Sequence, residues 1–325
     1  MAADSNPLTD VKNLILSMPD GDEGCAQSTR AVLEGFPGPT PVLGRLEKQL
    51  IWLAQWQKRD LPHISRPLVA VFAGTHGVVD SFTEGDIVKT ARRRVDGLTQ
   101  DKAAVRGIAG GMNAAFKVYE MGVEHPVADI RTAESLSPAE CAAAIAFGME
   151  VVAEGADIIV LGNAGTGSAT AAASIALALY GGTADYWAGA HDHSAKSRIT
   201  AVEAAVSSQS LDHSEPLDYL QKFGGRDIAG LVGAIVAARH QSIPILLDGF
   251  IVCVAAAIVH AIDPRGIDHC RAGALTSEPA HEALLDRIGL RPFHDFGSSL
   301  GDGTGSALAL TVLQSACHGL KALQV

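Results

Sequence analysis

Short apolar runs that each end in glycine alternate with helical stretches along the middle of the chain. The runs are LVAVFAG at 68–74, FKVYEMG at 116–122, ADIIVLG at 156–162 and IPILLDG at 243–249. Continuous apolar strands separated by helices are typical of a parallel sheet that is covered on both faces. The pattern therefore predicts an α/β fold, a Rossmann-like parallel sheet flanked by helices, with ligands beyond the carboxyl ends of the strands.

Both ends of the chain show helical periodicity instead. In RLEKQLIWLAQWQ, Leu46, Leu50, Leu53 and Trp56 recur at helical spacing, which predicts an amphipathic helix with these side chains in the core. A final helix is predicted over 305–320. We expect residues 1–60 and 305–325 to form a small helical subdomain, and residues 61–304 to form an α/β nucleotide-binding domain.

The net charge limits the class of ligand, and the cysteines and the first residues of the chain indicate the cellular compartment. The 325 residues include 25 basic and 36 acidic side chains, a net charge of −11, which argues against nucleic acid and against an anionic membrane surface. No uncharged run is long enough to cross a bilayer, and the start, MAADSNPLTD, lacks the pattern of a secretory signal. The scattered cysteines never form a C-x-x-C pair, which predicts reduced thiols in a cytoplasmic protein. A small-molecule ligand is the favoured partner.

The stretch VLGNAGTGSATAAASIALALYGG, at 160–182, is predicted to be a buried strand that opens through glycines into a helix. Free backbone N–H groups at a helix amino terminus, beside the hydroxyls of Thr166, Ser168 and Thr170, form a ready phosphate site. The stretch lacks the P-loop lysine and the G-x-G-x-x-G spacing. A tight turn with a hydroxyl N-cap explains the same residues, so both interpretations stay open.

A second glycine-rich stretch, SLGDGTGSALAL at 299–310, places Asp302 just before a helix of small residues. Its carboxylate is a candidate general base, and helix capping is the alternative. Asp248, at the end of a strand, is expected to have a structural role.

Two polar clusters could bind ligands, but we expect both to be mainly solvent-exposed. His191-Asp192-His193 contains good ligand types for a metal, but adjacent residues rarely converge on one ion, so a solvated loop is expected and no metal site is predicted. The run from Arg92 to Arg94 could clamp an anion. Because three consecutive helical positions point in different directions, at least two of these arginines are expected on a solvated or interface face.

Seven stretches, in order along the chain, resemble the nicotinate-nucleotide:dimethylbenzimidazole phosphoribosyltransferase family. They are LGRLE at 43–47, VFAGTHGV at 71–78, the turn at 162–170, GGRDIAGLVGAIVAAR at 224–239, IPILLDGF at 243–250, SEPAH at 277–281 and LGDGTGSALA at 300–309.

The resemblance implies a homodimer that displaces nicotinate from nicotinate mononucleotide with a nitrogen of an aromatic, benzimidazole-like base. The pyridinium leaves as a neutral molecule, so no metal or cofactor is required, and the enzyme must hold a phosphate and accept a proton. Carried over residue by residue, the resemblance makes Asp302 the catalytic base. It assigns nucleotide binding to Asn163, Gly165, Thr166, Gly167, Ser168, Ala169, Thr170, Lys196 and Gly303, and the base pocket to His76, Phe82, Glu84, Arg93 and Leu300.

The departures from the family pattern fall on the chemistry. The family's turn resembles G-E-M-G-I-G-N-T-T, and Asn163 stands at its glutamate. Asp302 stands at the glutamate of L-G-E-G-T-G, and the missing methylene draws the carboxylate back by more than about 1 Å, a displacement that can cost about 10²-fold in rate. Arg93 replaces a glutamine, Asp101-Lys102 replaces a glycine pair, and Thr75 begins the changed pocket after the first strand.

The loop at 189–198 is shortened relative to the family, and Lys196 or Arg198 is expected to supply its basic contact. Two hypotheses follow from these differences. The first is a phosphoribosyltransferase with an altered active site. The second is a catalytically impaired homologue that binds nucleotide or regulates a true transferase.

Overall fold

The computed structural model describes residues 6–81, 86–100, 102–189 and 195–323. Six parallel strands form one sheet in the order β2-β1-β3-β4-β5-β6. The predicted α/β fold is therefore confirmed. The strands are β1 Pro67–Ala73, β2 Ala115–Glu120, β3 Ile158–Asn163, β4 Ile245–Asp248, β5 Cys270–Thr276 and β6 His294–Ser298.

The four apolar runs coincide with the first four strands, whereas the last two strands carry no such signal. β1 and β3 are buried along their whole length, as continuous apolar runs require. β5 reads CRAGALT, with a basic residue near its start, and the edge strand β6 reads HDFGS and is largely exposed. Neither has the apolar run that identifies a buried strand.

Helices connect the strands and cover both faces of the sheet. Short 3₁₀ turns follow β1 at Gly77–Ser81 and α6 at Glu150–Val152. The α-helices are α1 Pro7–Leu16, α2 Glu23–Glu34, α3 Leu46–Gln57, α4 Ile87–Thr99, α5 Ala104–Gly111, α6 Pro138–Met149, α7 Ser168–Tyr180, α8 Ala184–Ala188, α9 Ala195–Ser208, α10 Pro216–Phe223, α11 Arg226–His240, α12 Gly249–Ile262, α13 Pro279–Arg287 and α14 Thr304–Ala322.

Alternate residues of β1 belong to two separate cores. Leu68, Ala70 and Phe72 pack with α6, α7, α11 and α12 on one face. Val69 and Val71 pack with α3, α5 and α14 on the other face. Successive side chains of a strand point to opposite faces, so one apolar run serves both layers.

The terminal helices contact each other and also the sheet. α3 lies against α14, and the predicted core side chains Leu50, Leu53 and Trp56 are buried. α14 packs on β3, β4 and β5, whereas α1 packs on α6 and α12 at the other face. The division of the chain into a helical subdomain and an α/β domain stays a prediction.

The direction of the strand order reverses at β1, since the chain adds β2 on one side of β1 and then crosses back to add β3 on the other. This is the switch point at which open α/β sheets bind ligands. Within the described residues, no helix is both long and apolar enough to span a bilayer. All five cysteines are free thiols, and four of them are buried.

Candidate functional site at the sheet switch point

A cavity of about 530 Å³ lies at the carboxyl ends of β1 and β3. The turn after β3, the second half of α4, the segment before α5 and the loop before α14 form its walls. Its polar lining residues are Arg93, Arg94, Lys102, Asn163, Thr170, Arg198, Glu278, Ser299 and Asp302.

The turn after β3 is built around one buried carboxylate, Asp227, in the first turn of α11. Its Oδ1 lies 3.0 Å from His76 Nε2, and its Oδ2 accepts hydrogen bonds from Ser168 Oγ at 2.6 Å and Asn163 Nδ2 at 2.9 Å. Burial alone raises the pKa of Asp227, but the charge of His76 and these hydrogen bonds outweigh it and lower the pKa below its ordinary value. Asp227 is therefore an ionised hub beneath the turn.

The glycines of the turn are required by this close packing. A Cβ on Gly165 would lie 2.1 Å from Ser168 Oγ and 2.2 Å from Asp227 Oδ2. Gly167 has a φ of 91°, in the left-handed region that favours glycine, and it precedes α7 directly. The glycine pattern thus encodes a specific arrangement around Asp227.

Several amides of the turn are satisfied by the protein itself. Gly165 N–H donates to Asn163 Oδ1 at 2.9 Å, and Thr166 N–H donates to Gly74 O at 2.9 Å. The N–H groups of Gly167, Ser168 and Ala169 have no acceptor in the described part of the chain. Gly167 and Ala169 line the cavity, so the start of α7 offers free amides to an anion.

Asp302 reaches the same cavity from the loop before α14. Its Oδ1 accepts hydrogen bonds from Thr304 N–H at 3.1 Å and from Thr304 Oγ1 at 2.6 Å. Asp302 therefore binds the first amide of α14 from the position before the N-cap, which is Gly303. Its Oδ2 has no hydrogen-bond partner in the described part of the chain, which leaves one oxygen of a half-buried carboxylate available to a ligand.

Backbone contacts hold this loop against the ends of β3 and β4. Asn163 N–H donates to Gly301 O at 2.8 Å. A Cβ on Gly162 would lie 2.4 Å from the carbonyl carbon of Asp302, and one on Gly249 would lie 2.8 Å from Gly301 Cα. The absence of side chains at these strand ends brings the carboxylate of Asp302 beside the anion turn.

The three consecutive arginines of α4 divide between two surroundings. Arg92 donates to Glu120 and Glu124 beside β2. Arg93 and Arg94 line the cavity, and Arg94 Nη1 donates to Gly165 O at 2.7 Å. Burial lowers the pKa of the Arg94 guanidinium, while the charge of Asp302 opposes that shift. Only one arginine therefore faces away, because two long side chains on neighbouring positions can both reach a wide cavity.

Glu278 enters the cavity from the turn between β5 and α13, which a buried histidine holds in place. His281 Nδ1 accepts the N–H of Thr276 at 3.1 Å, and its Nε2 lies 3.3 Å from Cys253 Sγ. Burial lowers the pKa of His281 to about 4, so the imidazole is neutral at physiological pH.

The structure brings most of the predicted site residues together, although in two layers. Asp302, Asn163, Gly165, Gly167, Ala169, Thr170, Arg93 and Leu300 line the cavity. His76, Thr166, Ser168 and Gly303 are buried behind this lining. Lys196 lies exposed in the first turn of α9, and its neighbour Arg198 lines the cavity. Phe82, Glu84 and the run from His191 to His193 lie outside the described residues.

Two side chains singled out as family departures are engaged by the protein. Thr75 is buried and its Oγ1 donates to Val123 O at 2.7 Å. Asn163 uses both ends of its amide on Asp227 and Gly165. These contacts organise the turn from within.

Sequence reasoning missed Asp227 and Glu278, and it named Arg94 only as one of three arginines that could clamp an anion. The signal for Asp227 was present in GGRD at 224–227. The two glycines precede a helix, and Asp227 is the second residue after them, in the first turn, where an acidic side chain is favourable. Its connection with His76 depends on a contact across 151 positions of sequence, which no local pattern reveals.

The fold and the cavity define an α/β protein with a cavity at the switch point of its sheet, where free amides and basic side chains suit an anionic small molecule. A family model described as "Phosphoribosyltransferase" matches residues 18–324. The chain belongs to this phosphoribosyltransferase family, and it is accordingly an enzyme of the pentosyltransferase class, the first of the two hypotheses drawn from the sequence.

Individual relatives agree over nearly their whole length. Nicotinate-nucleotide–dimethylbenzimidazole phosphoribosyltransferase of Methylocella silvestris is 41% identical over 98% of this chain and 95% of its own. The same enzyme of Brucella anthropi is 39% identical over 98% and 96%. The crystal structure of the enzyme from Thermus thermophilus superimposes with a TM-score of 0.84 at 28% identity, covering 92% of this chain and 96% of the other.

Proposed function

We propose that the chain transfers the phosphoribosyl group of nicotinate mononucleotide to a benzimidazole-like base, the reaction that forms the lower nucleotide of cobalamin. The names of the relatives supply the substrates. The observation that carries the proposal is the approach of two groups in one cavity: free amides at the start of α7 and the Asp302 carboxylate, linked by the Asn163–Gly301 hydrogen bond of 2.8 Å.

The anion half of the reaction uses the start of α7. The amides of Gly167, Ser168 and Ala169 point from the positive end of a helix of 13 residues, where a phosphate is stabilised by hydrogen bonds and by the helix dipole. Arg198 is the basic residue of the cavity in the part of the chain where the family's basic contact is expected. The phosphate anchors the ribose so that its anomeric carbon lies within the cavity.

The chemical half uses Asp302. A benzimidazole nitrogen attacks the anomeric carbon, the bond to the pyridine nitrogen breaks, and its electron pair returns to the pyridine ring. The attacking base loses its N–H proton, which Asp302 accepts on the oxygen not held by Thr304. A carboxylate beside the anomeric carbon also stabilises the positive charge that develops on the ribose.

The test is release of nicotinate from nicotinate mononucleotide by the purified chain, with 5,6-dimethylbenzimidazole as acceptor. Asp302→Asn is expected to lower kcat by about 10²-fold to 10⁴-fold, as loss of a general base does. Asp295→Asn is the matched control, since Asp295 is an exposed carboxylate of β6 that bonds the amide of Gly297.

Absence of turnover with a panel of benzimidazoles and phenols would contradict the proposal. If calorimetry then still showed nucleotide binding, the impaired homologue anticipated from the sequence departures would be the better description. Equal turnover by wild type and Asp302→Asn would leave the reaction standing and remove Asp302 from its role as the base.

We also propose a cytoplasmic homodimer. Free, mostly buried thiols support a reducing compartment. Large apolar side chains remain exposed on β6, the loop after it and α14, with Phe296 at 72% and Leu300 at 52% exposure. Light scattering of the purified chain, expected to give about twice the monomer mass, tests the oligomeric state.

A further inference from the structure

A second cavity, of about 420 Å³, lies at the end of the sheet opposite to the first one. It is lined by residues 61–65, which join α3 to β1, and by Cys317, His318, Leu320 and Lys321 near the end of α14. Cys317 comes 13 residues after Thr304, the first residue of that helix. At 1.5 Å per residue, α14 places Cys317 about 20 Å from its own start beside Asp302. The two cavities are therefore separate.

The floor of the second cavity is apolar. Pro62, Ile64, Cys317 and Leu320 are buried, and Leu61 is half-buried beside them. A mainly apolar cavity of this volume with a few polar groups is the usual form of a small-molecule site. A ligand with an apolar body would remove this floor from water, which is the main source of affinity at such sites.

The mouth of the cavity carries hydrogen-bond donors that the protein leaves unused. His318 and Lys321 are exposed, and neither has a hydrogen-bond or ion-pair partner in the ranges that the structure describes. His63 completes the mouth and contacts the Arg59 guanidinium, with 3.1 Å between His63 Nδ1 and Arg59 Nη1. No carboxylate side chain belongs to the described lining.

The charge at the mouth is positive, although the chain as a whole carries a net charge of −11. Lys321 lies in the last turn of α14, where the free carbonyl groups of a helix carry a partial negative charge. The full charge of its ammonium outweighs that half charge. The mouth therefore favours an anionic group on the ligand.

We propose that this second cavity binds a small aliphatic carboxylate. Its chain lies on the apolar floor, and its carboxylate accepts hydrogen bonds from Lys321 and His318. An ammonium donates to a carboxylate with the added strength of charge, and an imidazole has an N–H to donate in either protonation state. The described lining has no aromatic ring besides the two imidazoles, so it suits a flexible chain better than a flat ring that needs a stacking partner.

The experiment titrates octanoate into the purified protein by calorimetry. Octanol and octylamine are the neutral and cationic comparisons, with the same chain length. Octanoate is expected to bind about tenfold to 100-fold more tightly than octanol, as a hydrogen bond to a charged group allows, and octylamine is expected to bind least. Absence of octanoate binding, or tighter binding of octylamine, would overturn the proposal.

The charge at the mouth is tested with a pair of lysine variants. Lys321→Gln is expected to weaken octanoate binding by about tenfold and to leave octanol binding unchanged. Lys58→Gln is the matched control, since Lys58 is an exposed lysine outside the lining and its loss changes the net charge equally. Octanoate affinities that are the same in the two variants would remove Lys321 from the site and overturn the assignment.

A third set of variants locates the bound probe. Cys317→Phe fills the floor and is expected to abolish binding of both octanoate and octanol. Leu61→Trp narrows the cavity from a half-buried position, so it keeps the test open if Cys317→Phe does not fold, which circular dichroism shows. Arg93→Gln removes a cation of the first cavity and is expected to keep octanoate binding.

Loss of octanoate binding in Arg93→Gln, with binding retained in the folded variants of the second cavity, would place the probe in the first cavity and overturn the proposal. The measurement is of binding alone, so its result does not depend on whether the proposed transfer takes place.

Discussion

Two turns of the molecule share the tetrapeptide Gly-Thr-Gly-Ser, at 165–168 and at 303–306, and each leads into a helix of small residues. In the first turn the helix begins at the serine, Ser168, after the left-handed Gly167. In the second it begins two positions earlier in the motif, at Thr304, after the left-handed Gly303. Identical residues therefore present different amides at the two helix starts.

Each turn lies against a buried aspartate that accepts the hydroxyl of the motif's serine, Ser168 or Ser306, and the two aspartates differ in their other donors. Asp227 accepts from the side chains of Asn163 and Ser168 and contacts His76, so it leaves the amides at the start of α7 free. Asp248 accepts the backbone N–H groups of Gly303 at 2.8 Å and Ser306 at 2.6 Å.

The choice of donor decides which helix start can bind a ligand. At α14 the protein's own carboxylate already occupies the position of an anion, and that turn instead presents Asp302 to the cavity. At α7 the supporting carboxylate lies behind the turn, and the amides face the cavity. A glycine-rich helix start is thus a ligand site only where no internal acceptor fills it.

The largest expected effect is the loss of folding stability when Asp227, the buried carboxylate beneath the first turn, is replaced by a neutral residue. Asp227→Asn leaves His76 without its carboxylate and turns an amide N–H₂ toward other donors, so we expect the free energy of unfolding to fall by about 3–5 kcal/mol. Asp248→Asn removes one acceptor of backbone N–H groups and separates no carboxylate from a buried histidine, and we expect about 1–3 kcal/mol. Urea unfolding at pH 7 measures both.

Equal losses in the two variants would show that His76 contributes little to the difference between the turns. Binding of nicotinate mononucleotide sharpens the result in the folded variants. Asp227→Asn should weaken it, since the amides of α7 lose their support, whereas Asp248→Asn should act mainly on turnover through the loop of Asp302.

The next largest effect is expected on kcat/KM when the nucleotide lacks its phosphate. If the amides of α7 hold the phosphate, nicotinate riboside, which lacks it, should react with a kcat/KM about 100-fold lower than that of the mononucleotide. Steady-state kinetics with one acceptor provide the measurement. A difference below about threefold would mean that the free amides do not hold the phosphate.

The two carboxylates should also respond to pH with opposite signs. The pKa of Asp227 lies below its ordinary value, so its contribution to stability is present at neutral pH and is lost as pH falls below about 4. Burial raises the pKa of Asp248 to about 6, so its contribution is present in acid and is lost as pH rises through that value.

The pH dependence of unfolding in the two variants tests these signs. Relative to wild type, the destabilisation by Asp227→Asn should shrink as pH falls from about 4 to about 2. That of Asp248→Asn should shrink as pH rises from about 4 to about 6, each by on the order of 2 kcal/mol. Parallel profiles would contradict the assignment of different surroundings to the two aspartates.

The sequence predicts the architecture well because the apolar runs of β1, β3 and β4 encode buried strands directly, and the run at 116–122 identifies the edge strand β2, which is only partly buried. It misses β5 and β6, whose residues CRAGALT and HDFGS lack a continuous apolar run. Their place in the sheet depends on strand pairing, β5 with β4 across the intervening helix α12 and β6 with β5 across α13.

The sequence predicted which residues gather at the candidate site, but not which of their side chains point into the cavity and which point into the protein. The residue pattern indicated both glycine turns and Asp302, the resemblance to a family added their roles, and the structure places them along one cavity. Neither the pattern nor the resemblance could indicate that Ser168 and His76 turn inward to Asp227, since their partner lies on another helix. Local patterns identify which residues gather at a site, and long-range contacts decide which way their side chains point.

The smallest expected effects distinguish the two threonines at the second position of the shared motif. Thr166 Oγ1 is buried with no hydrogen-bond partner in the described ranges, whereas Thr304 Oγ1 donates to Asp302 at 2.6 Å. Thr166→Val removes a buried hydroxyl that lacks a partner, so the free energy of unfolding should rise by up to about 1 kcal/mol. Thr304→Val removes a hydrogen bond to a carboxylate and should lower it by about 1–2 kcal/mol. Urea unfolding of the two variants side by side measures the difference, and a loss of similar size in both would show that the Thr166 hydroxyl is as well satisfied in solution as that of Thr304.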